Sequence, residues 1–375
     1  MISYCIVLFT AYLSTSGETL HPNEVGNIGT PVLLTDPAVF LKAGESYFDP
    51  AGKRVIFQAI EHPPVGESPD DNYGMYLGDL TFDDVGTIAG LTNIVRISKE
   101  GSANTCGWFH PTNDSLVMFA TTTTPIGGED IPGYQRESGR YRWSFPPKMN
   151  IISCDLSNNN ANTELVTDNE HYLAEGSWSP DGRHILYCSL KSGIGDIYVT
   201  DLKTGITRLI VGDDGYDGGP FFSPDGKRIA YRSDRRGNDL LQLYVADLAF
   251  DEDEAIIGIS REFQLSDNTH VNWGPFWHPN GRFIIYATSE VSHGNYELFI
   301  CDADNGDHDG TTRYGTRKRR VTHADGFDGL PAFNTKGDVL MWTSKRNTGT
   351  SQLWTAPFTF DLNAGPQMSN NPQTH

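Results

Sequence analysis

A turn repeated six times in a fixed register limits what this chain can fold into more than any other feature. It is clearest as Ser179-Pro180-Asp181-Gly182 and Ser223-Pro224-Asp225-Gly226. Looser copies are Asp49-Pro50-Ala51-Gly52, His110-Pro111-Thr112-Asn113, His278-Pro279-Asn280-Gly281 and Asn334-Thr335-Lys336-Gly337. Two residues before the Pro (or Thr335) an aromatic stands every time: Phe48, Phe109, Trp178, Phe222, Trp277 and Phe333. Two residues after it comes Gly or Asn, the residues that accept positive φ most cheaply. Seven after it comes Phe57, Tyr187, Tyr231, Tyr286 or Trp342, with Phe119 one place late.

Each unit reads as four short strands. The aromatic-bearing segment leads into the turn, and an apolar run such as Ile229-Ala230-Tyr231 leaves it. A third strand ends in an acidic turn, as at Leu243-Tyr244-Val245-Ala246-Asp247, and a fourth closes on a hydroxyl, as at Phe263-Gln264-Leu265-Ser266-Asp267. β-Branched and aromatic runs punctuated by Gly, Asn, Asp and Pro are strand-and-turn chemistry. The turn anchors lie 61, 69, 44, 55 and 56 residues apart (at 50, 111, 180, 224, 279 and 335). Four strands need roughly 40–50 residues, so the excess is loop insertion. Six such units packed radially predict an all-β, six-bladed β-propeller of four-stranded antiparallel blades.

The expected blades run from about 43–98, 103–168, 172–211, 215–267, 270–322 and 326–357, within a single domain from 30 to 358. The last unit lacks a fourth strand. Pro31-Val32-Leu33-Leu34-Thr35-Asp36 carries the Leu-Thr-Asp ending of the other fourth strands. Residues 31–35 are therefore predicted to complete the sixth blade, which removes an exposed edge.

The run Pro224-Asp225-Gly226-Lys227-Arg228-Ile229-Ala230-Tyr231, with Gln242-Leu243-Tyr244-Val245-Ala246-Asp247 after it, resembles the WD-like repeat of the TolB-type six-bladed propellers. The resemblance covers about residues 40 to 356 and implies the fold. It implies no single function, since propellers host binding, scaffolding and catalysis alike. The N-terminal α/β domain found in TolB is not expected here, and Pal binding is not carried over.

The chain has 28 basic and 48 acidic residues, a formal charge of −20, which argues against nucleic acid or an anionic membrane as partner. Its one basic cluster, Arg317-Lys318-Arg319-Arg320, follows the acidic loop Asp302 to Asp309 and reads as an intramolecular charge pairing. Residues 1–17 are an apolar run, too short to span a bilayer, ending in small residues. They read as a signal peptide and place the mature chain in the periplasm or outside the cell, without an integral membrane segment. The polar residues 361–375 read as a disordered tail. Cys106, Cys154, Cys188 and Cys301 show no Cys-x-x-Cys spacing and read as buried free thiols.

In a propeller the fourth-to-first and second-to-third connections share one face, at the mouth of the central channel. Seven places before each anchor stand Ala43, Asn104, Leu173, Asp217, Asn272 and Asp328; five before stand Glu45, Cys106, Glu175, Gly219, Gly274 and Leu330. Glu45, Asn104, Glu175, Asp217, Asn272 and Asp328 thus predict an acidic, amide-rich mouth for a cationic or hydroxyl-rich ligand or a metal. Solvated polarity of an ordinary channel is the competing explanation.

The largest insertion, between Thr121 and Asn150, carries Arg140-Tyr141-Arg142-Trp143 and reads as a recognition loop on the same face. His171, His270 and His323 are also expected near the mouth. Oligogalacturonate lyases, which are propellers too, hold a metal with several histidines, and that likeness makes these three candidate ligands for a divalent metal. No local His-x-His or His-Glu-x-x-His spacing supports them. His110 and His278 occupy the turn itself and read as turn caps. Asp302 to Gly310 resembles a calcium loop in composition, without the EF-hand spacing.

The favoured reading is a monomeric, non-catalytic, extracytoplasmic propeller that binds a protein, peptide or glycan at its channel mouth. The alternatives are a metal-assisted polysaccharide lyase or hydrolase, with Asp217, Asp328 or Glu175 as acid or base, and a structural scaffold.

Overall fold

The computed structural model describes residues 20–122, 133–134, 143–166, 168, 170–303, 315 and 318–361. The expected signal peptide, the calcium-like loop beyond Ala303 and the tail beyond Asp361 lie outside the described residues. So do the side chains of Arg140, Tyr141, Arg142 and Trp143.

Six four-stranded antiparallel sheets form the six blades. Blade 1 is Phe40–Phe48, Arg54–Glu61, Gly74–Phe82 and Ile88–Arg96; blade 2 is Asn104–Phe109, Leu116–Thr121, Asn150–Asp155 and Ala161–Val166. Blade 3 is Leu173–Trp178, His184–Ser189, Asp196–Asp201 and Ile206–Val211; blade 4 is Asp217–Phe222, Arg228–Ser233, Gln242–Phe250 and Ile256–Gln264. Blade 5 is Asn272–Trp277, Phe283–Ser292, Asn295–Asp302 and Arg319–Arg320. Blade 6 is Asp328–Phe333, Val339–Ser344 and Gln352–Pro357, with Val32–Leu33 as its fourth strand. Among the described residues no helix is long and apolar enough to cross a membrane.

The repeated turn behaves as its residues dictate. In five blades the Gly takes φ between +66° and +76° and its N–H returns to the carbonyl three residues back (Asp49, Ser179, Ser223, His278 or Asn334). Blade 2 differs: Asn113 is not in the left-handed region, and the bond closes instead from Leu116 N–H to Asn113. The longer turn explains why Phe119 comes one place late. His110 Nδ1 accepts from the N–H groups of Thr112 and Asn113, and His278 Nδ1 from that of Asn280, so both are turn caps. The aromatics after the turn (Phe57, Phe119, Tyr187, Tyr231, Tyr286 and Trp342) are all buried between neighbouring blades.

The hydroxyl that ends a fourth strand has a repeated task. Ser98, Ser266, Thr322 and Thr35 each accept the N–H of the third-strand residue opposite: Met75, Leu243, Leu298 and Leu353, at 2.8–2.9 Å. Three of them also donate to the neighbouring side chain, Gln242, Glu297 or Gln352. Thr35 therefore makes, across 318 residues of sequence, the same clasp that the other blades make locally. Val32 pairs with Thr355 and Leu33 with Trp354, and the Leu34 N–H donates to the Leu353 carbonyl at 2.8 Å. Upstream, the fully buried Glu24 holds the ring from another side, ion-paired with Arg346, which also binds Asp328.

Two residues of the basic cluster are paired within the chain; the acidic loop beyond Ala303 lies outside the described residues. Lys318 binds Glu290 and Arg320 binds Glu297. Cys106, Cys154, Cys188 and Cys301 are buried and free.

Replacing Thr35 by Val removes the hydroxyl from two buried bonds while keeping its shape, and should cost about 1–3 kcal/mol of stability in denaturant titration. A Thr35→Val chain as stable as the parent would show that this clasp does not hold the ring shut.

Candidate functional site

The inner strands meet around the axis, and each carries an irregularity at a shared position. Pairing slips in every blade at the same place: Gly44/Ser46, Thr105/Trp108, Ala174/Ser177, Gly218/Phe221, Trp273/Phe276 and Gly329/Ala332. The residue inside each slip, five before the turn anchor, is left-handed: Glu45 (φ 42°), Cys106 (54°), Glu175 (59°), Gly219 (57°), Gly274 (58°) and Leu330 (51°). A β-bulge re-aims its side chain, and here all six residues line one cavity of about 760 Å³ at the mouth face. Only two of the six are glycine, so four non-glycine residues hold a conformation that costs roughly 1–2 kcal/mol each.

The floor of the cavity is aromatic. Three residues before the anchor stand Tyr47, Trp108, Phe221 and Phe276, with the small Ser177 and Ala332 in blades 3 and 6. The Tyr47 and Trp108 rings stack at 4.2 Å; Trp108–Phe221, Phe221–Phe276 and Tyr47–Phe276 lie 5.6–6.0 Å apart. Two small residues on opposite blades leave room for four rings. The sequence alignment that exposed the bulge positions holds this signal two places further on, where it was not sought.

Two carboxylates sit at bulge positions with contrasting partners. Glu175 accepts from Tyr216 Oη at 2.6 and 2.7 Å, from the Gly219 N–H at 2.5 Å and from Arg232 at 3.0 Å. It is a satisfied, buried ion pair. Glu45 accepts from Thr105 Oγ1 at 2.9 Å and Cys106 Sγ at 3.1 Å, both neutral donors, and burial raises its carboxyl above the usual carboxylate range. Burial also pushes the Cys106 thiol well up, the reverse of what a thiolate nucleophile requires.

The cavity brings together only part of the predicted set. Glu45, Asn104 and Glu175 stand on its wall; Asp217, Asn272 and Asp328 do not. Asn104 itself is 4% exposed and donates to the Tyr73 carbonyl at 2.8 Å. Asn272 donates to the carbonyls of Leu241 and His270 and is fully buried. Asp328 accepts from Trp342 Nε1 and Arg346, and burial raises its carboxyl. Asp217 accepts the Asp213 N–H at 3.1 Å, and burial pushes it up to about 6. In blades 4, 5 and 6 the residue seven before the anchor ties its inner strand to neighbouring segments instead of facing the channel.

The wall is consequently not acidic. Glu45, Asp71 and Glu175 are matched by Lys42, Arg232 and Lys345. Gln58, Asn72, Tyr73, Tyr172, Trp273, Tyr296 and Phe327 complete a mixed aromatic and amide lining. The blade-2 insertion reaches the same place: Gly133–Tyr134 pairs with Trp143–Ser144, and Pro146 and Met149 beyond it line the cavity.

His171 binds Asp168 at 2.7 Å, and with Glu170 these form one surface group within 4.8 Å. His323 stacks on His21 at 5.9 Å, and the His270 N–H donates to Asn268. Among the described residues no group of ligands brings the three histidines together.

Gly219 also has a steric task. A Cβ there would overlap the Arg232 guanidinium, whereas at Gly274 the nearest atom would be Leu330 Cδ2 at 3.6 Å. Gly274→Ala should cost about 1 kcal/mol, the left-handed penalty alone. Gly219→Ala should cost clearly more and displace Arg232 from Glu175; equal losses in denaturant titration would refute this account of the bulge.

Residues 148–317 match the family described as TolB beta propeller domain. Among curated proteins, the chain is 35% identical over 181 residues to dipeptidyl-peptidase 5 of Porphyromonas gingivalis, covering 45% of this chain and 23% of that one. It is 36% identical over 100 residues to the Tol-Pal system protein TolB of Francisella tularensis subsp. holarctica, covering 26% and 22%. The chain thus spans about a quarter of the length of either relative. The crystal structure of TolB from Acinetobacter baumannii superposes with a TM-score of 0.54 at 17% identity, over 82% of this chain and 64% of that one, a likeness of fold. In its repeat and its six four-stranded blades the chain is similar to the TolB-type β-propellers, and the family match itself covers residues 148–317.

Proposed function

We propose that this propeller is a non-catalytic binding protein that holds a peptide segment of a partner in its mouth-face cavity. The observation that carries the reading is the cavity itself, about 760 Å³ with an aromatic floor, ringed walls and charges of both signs. Ligand sites commonly occupy 300–1,000 Å³ and combine apolar area with a few fixed polar groups. Rigid rings supply contact area at small entropic cost, while Asn72, Gln58 and the charged rim suit a peptide backbone and its side chains. The names of two relatives, a dipeptidyl-peptidase and a Tol-Pal system protein, agree with a peptide or protein ligand and with work outside the cytoplasm. The metal-assisted lyase has less support, because among the described residues no group of ligands brings His171, His270 and His323 together.

Panning a random peptide library against the immobilised chain tests the proposal. Enriched peptides should bind Tyr73→Ala and Phe327→Ala variants at least about tenfold more weakly, a loss of about 1.4 kcal/mol. Peptides that bind the variants as well as the parent, or binding to a glycan array without peptide enrichment, would overturn it.

A further inference from the structure

We infer that the cavity receives a cationic side chain, an ammonium or guanidinium, with Glu45 as its counter-ion; this rests on the peptide-binding reading above. Three observations lead there. First, Glu45 is the cavity carboxylate whose hydrogen-bond partners among the described residues are all neutral: Thr105, Cys106 and Tyr47. The guanidinium nearest in kind, Arg232, lies 3.0 Å from Glu175 and is bonded to Tyr216. Lys42 holds its ammonium 4.7 Å over the Tyr73 ring, and Lys345 is exposed at the rim.

Second, an acceptor beside Glu45 lacks a donor. Gln58, which pairs with Gly44 across the sheet and lines the cavity, has a buried carboxamide oxygen without a hydrogen-bond partner. A carboxylate with only neutral donors next to an unsatisfied acceptor matches a group that donates several hydrogen bonds and accepts none, as Lys and Arg do. Third, the floor beneath is a π surface, since Tyr47 stacks on Trp108 and both line the cavity. An electron-rich ring face beside a carboxylate attracts a cation from both sides, by charge and by quadrupole. An anionic group placed at this corner would instead meet the Glu45 carboxylate at close range.

The geometry also explains why blade 1 tolerates Glu where blades 4 and 5 have Gly. The bulge in blade 1 turns a carboxylate into the cavity, so the left-handed cost falls where the counter-ion is needed.

The test uses the full chain and three acetylated, amidated alanine pentapeptides whose central residue is Lys, norleucine or Glu. Binding is followed by tryptophan fluorescence, because Trp108 and Trp273 line the cavity. The Lys peptide should bind at least about tenfold tighter than the norleucine and Glu peptides and lose that advantage in Glu45→Gln, which keeps the side chain's shape and one of its two acceptor oxygens while removing the charge. Raising the salt should weaken the Lys peptide alone. Equal affinity for Lys and norleucine, or a Lys advantage unchanged in Glu45→Gln, overturns the inference and leaves the peptide site standing. Failure of every pentapeptide together with the library overturns both. Should Glu45→Gln fold poorly, Thr105→Val, which removes a bond holding the carboxylate, must reduce the Lys advantage severalfold for the inference to survive.

Discussion

One left-handed residue in each inner strand governs the centre of this molecule. Six strands converging on an axis have no space for regular pleats to continue inward. Each strand is therefore broken by a bulge that turns a single side chain toward the axis. Everything found in the channel follows from the residue placed there. Gly219 makes room for the Arg232 guanidinium, Glu175 neutralises it, and Leu330 adds apolar wall. Glu45 and Cys106 form the remaining polar corner. The bulge can do this only if the ring is closed, and closure depends on a leader segment that borrows the clasp chemistry of an ordinary blade.

The two bulge carboxylates illustrate how neighbours decide what a buried acid does. Glu175 is surrounded by a guanidinium, a phenol and a backbone N–H, which together offset the cost of taking charge out of water. Its removal would leave Arg232 charged and unmatched, so it belongs to the architecture. Glu45 receives only neutral donors, its partial burial raises its proton affinity, and its position on the cavity wall leaves its charge available to something from outside.

Much of this was legible in the residues, and the boundary of legibility is physical. The turn fixes register, and register fixes which residues share a radius; hence the blade number, the closing strand at Val32–Leu33 and the inward position of Glu45 and Glu175 all follow from alignment. Alignment does not say whether an inward residue reaches the channel or stops against its neighbour. Asp217, Asn272 and Asp328 are short side chains whose nearest partners are backbone groups, Trp342 and Arg346, so they bind there and never reach the cavity. The charge balance of the cavity was equally hidden, because Lys42, Lys345 and Asp71 come from outside the aligned positions or from loops that carry no repeat. The aromatic floor was recoverable: large rings at four blades and small residues at the two opposite ones are a packing pattern visible in sequence.

The chemistry of the cavity depends on Glu45 being a partly buried carboxylate whose partners among the described residues are neutral. Selective ¹³C labelling of glutamate carboxyls, with the Glu45 resonance assigned through Glu45→Gln, would follow its ionisation directly by NMR. We expect it to titrate clearly above the ordinary glutamate value near 4.5 and to move downward when a lysine-bearing ligand binds. A Glu45 carboxyl that titrates at the ordinary value, unmoved by any cation, would mean a solvated corner of the channel and would contradict the account.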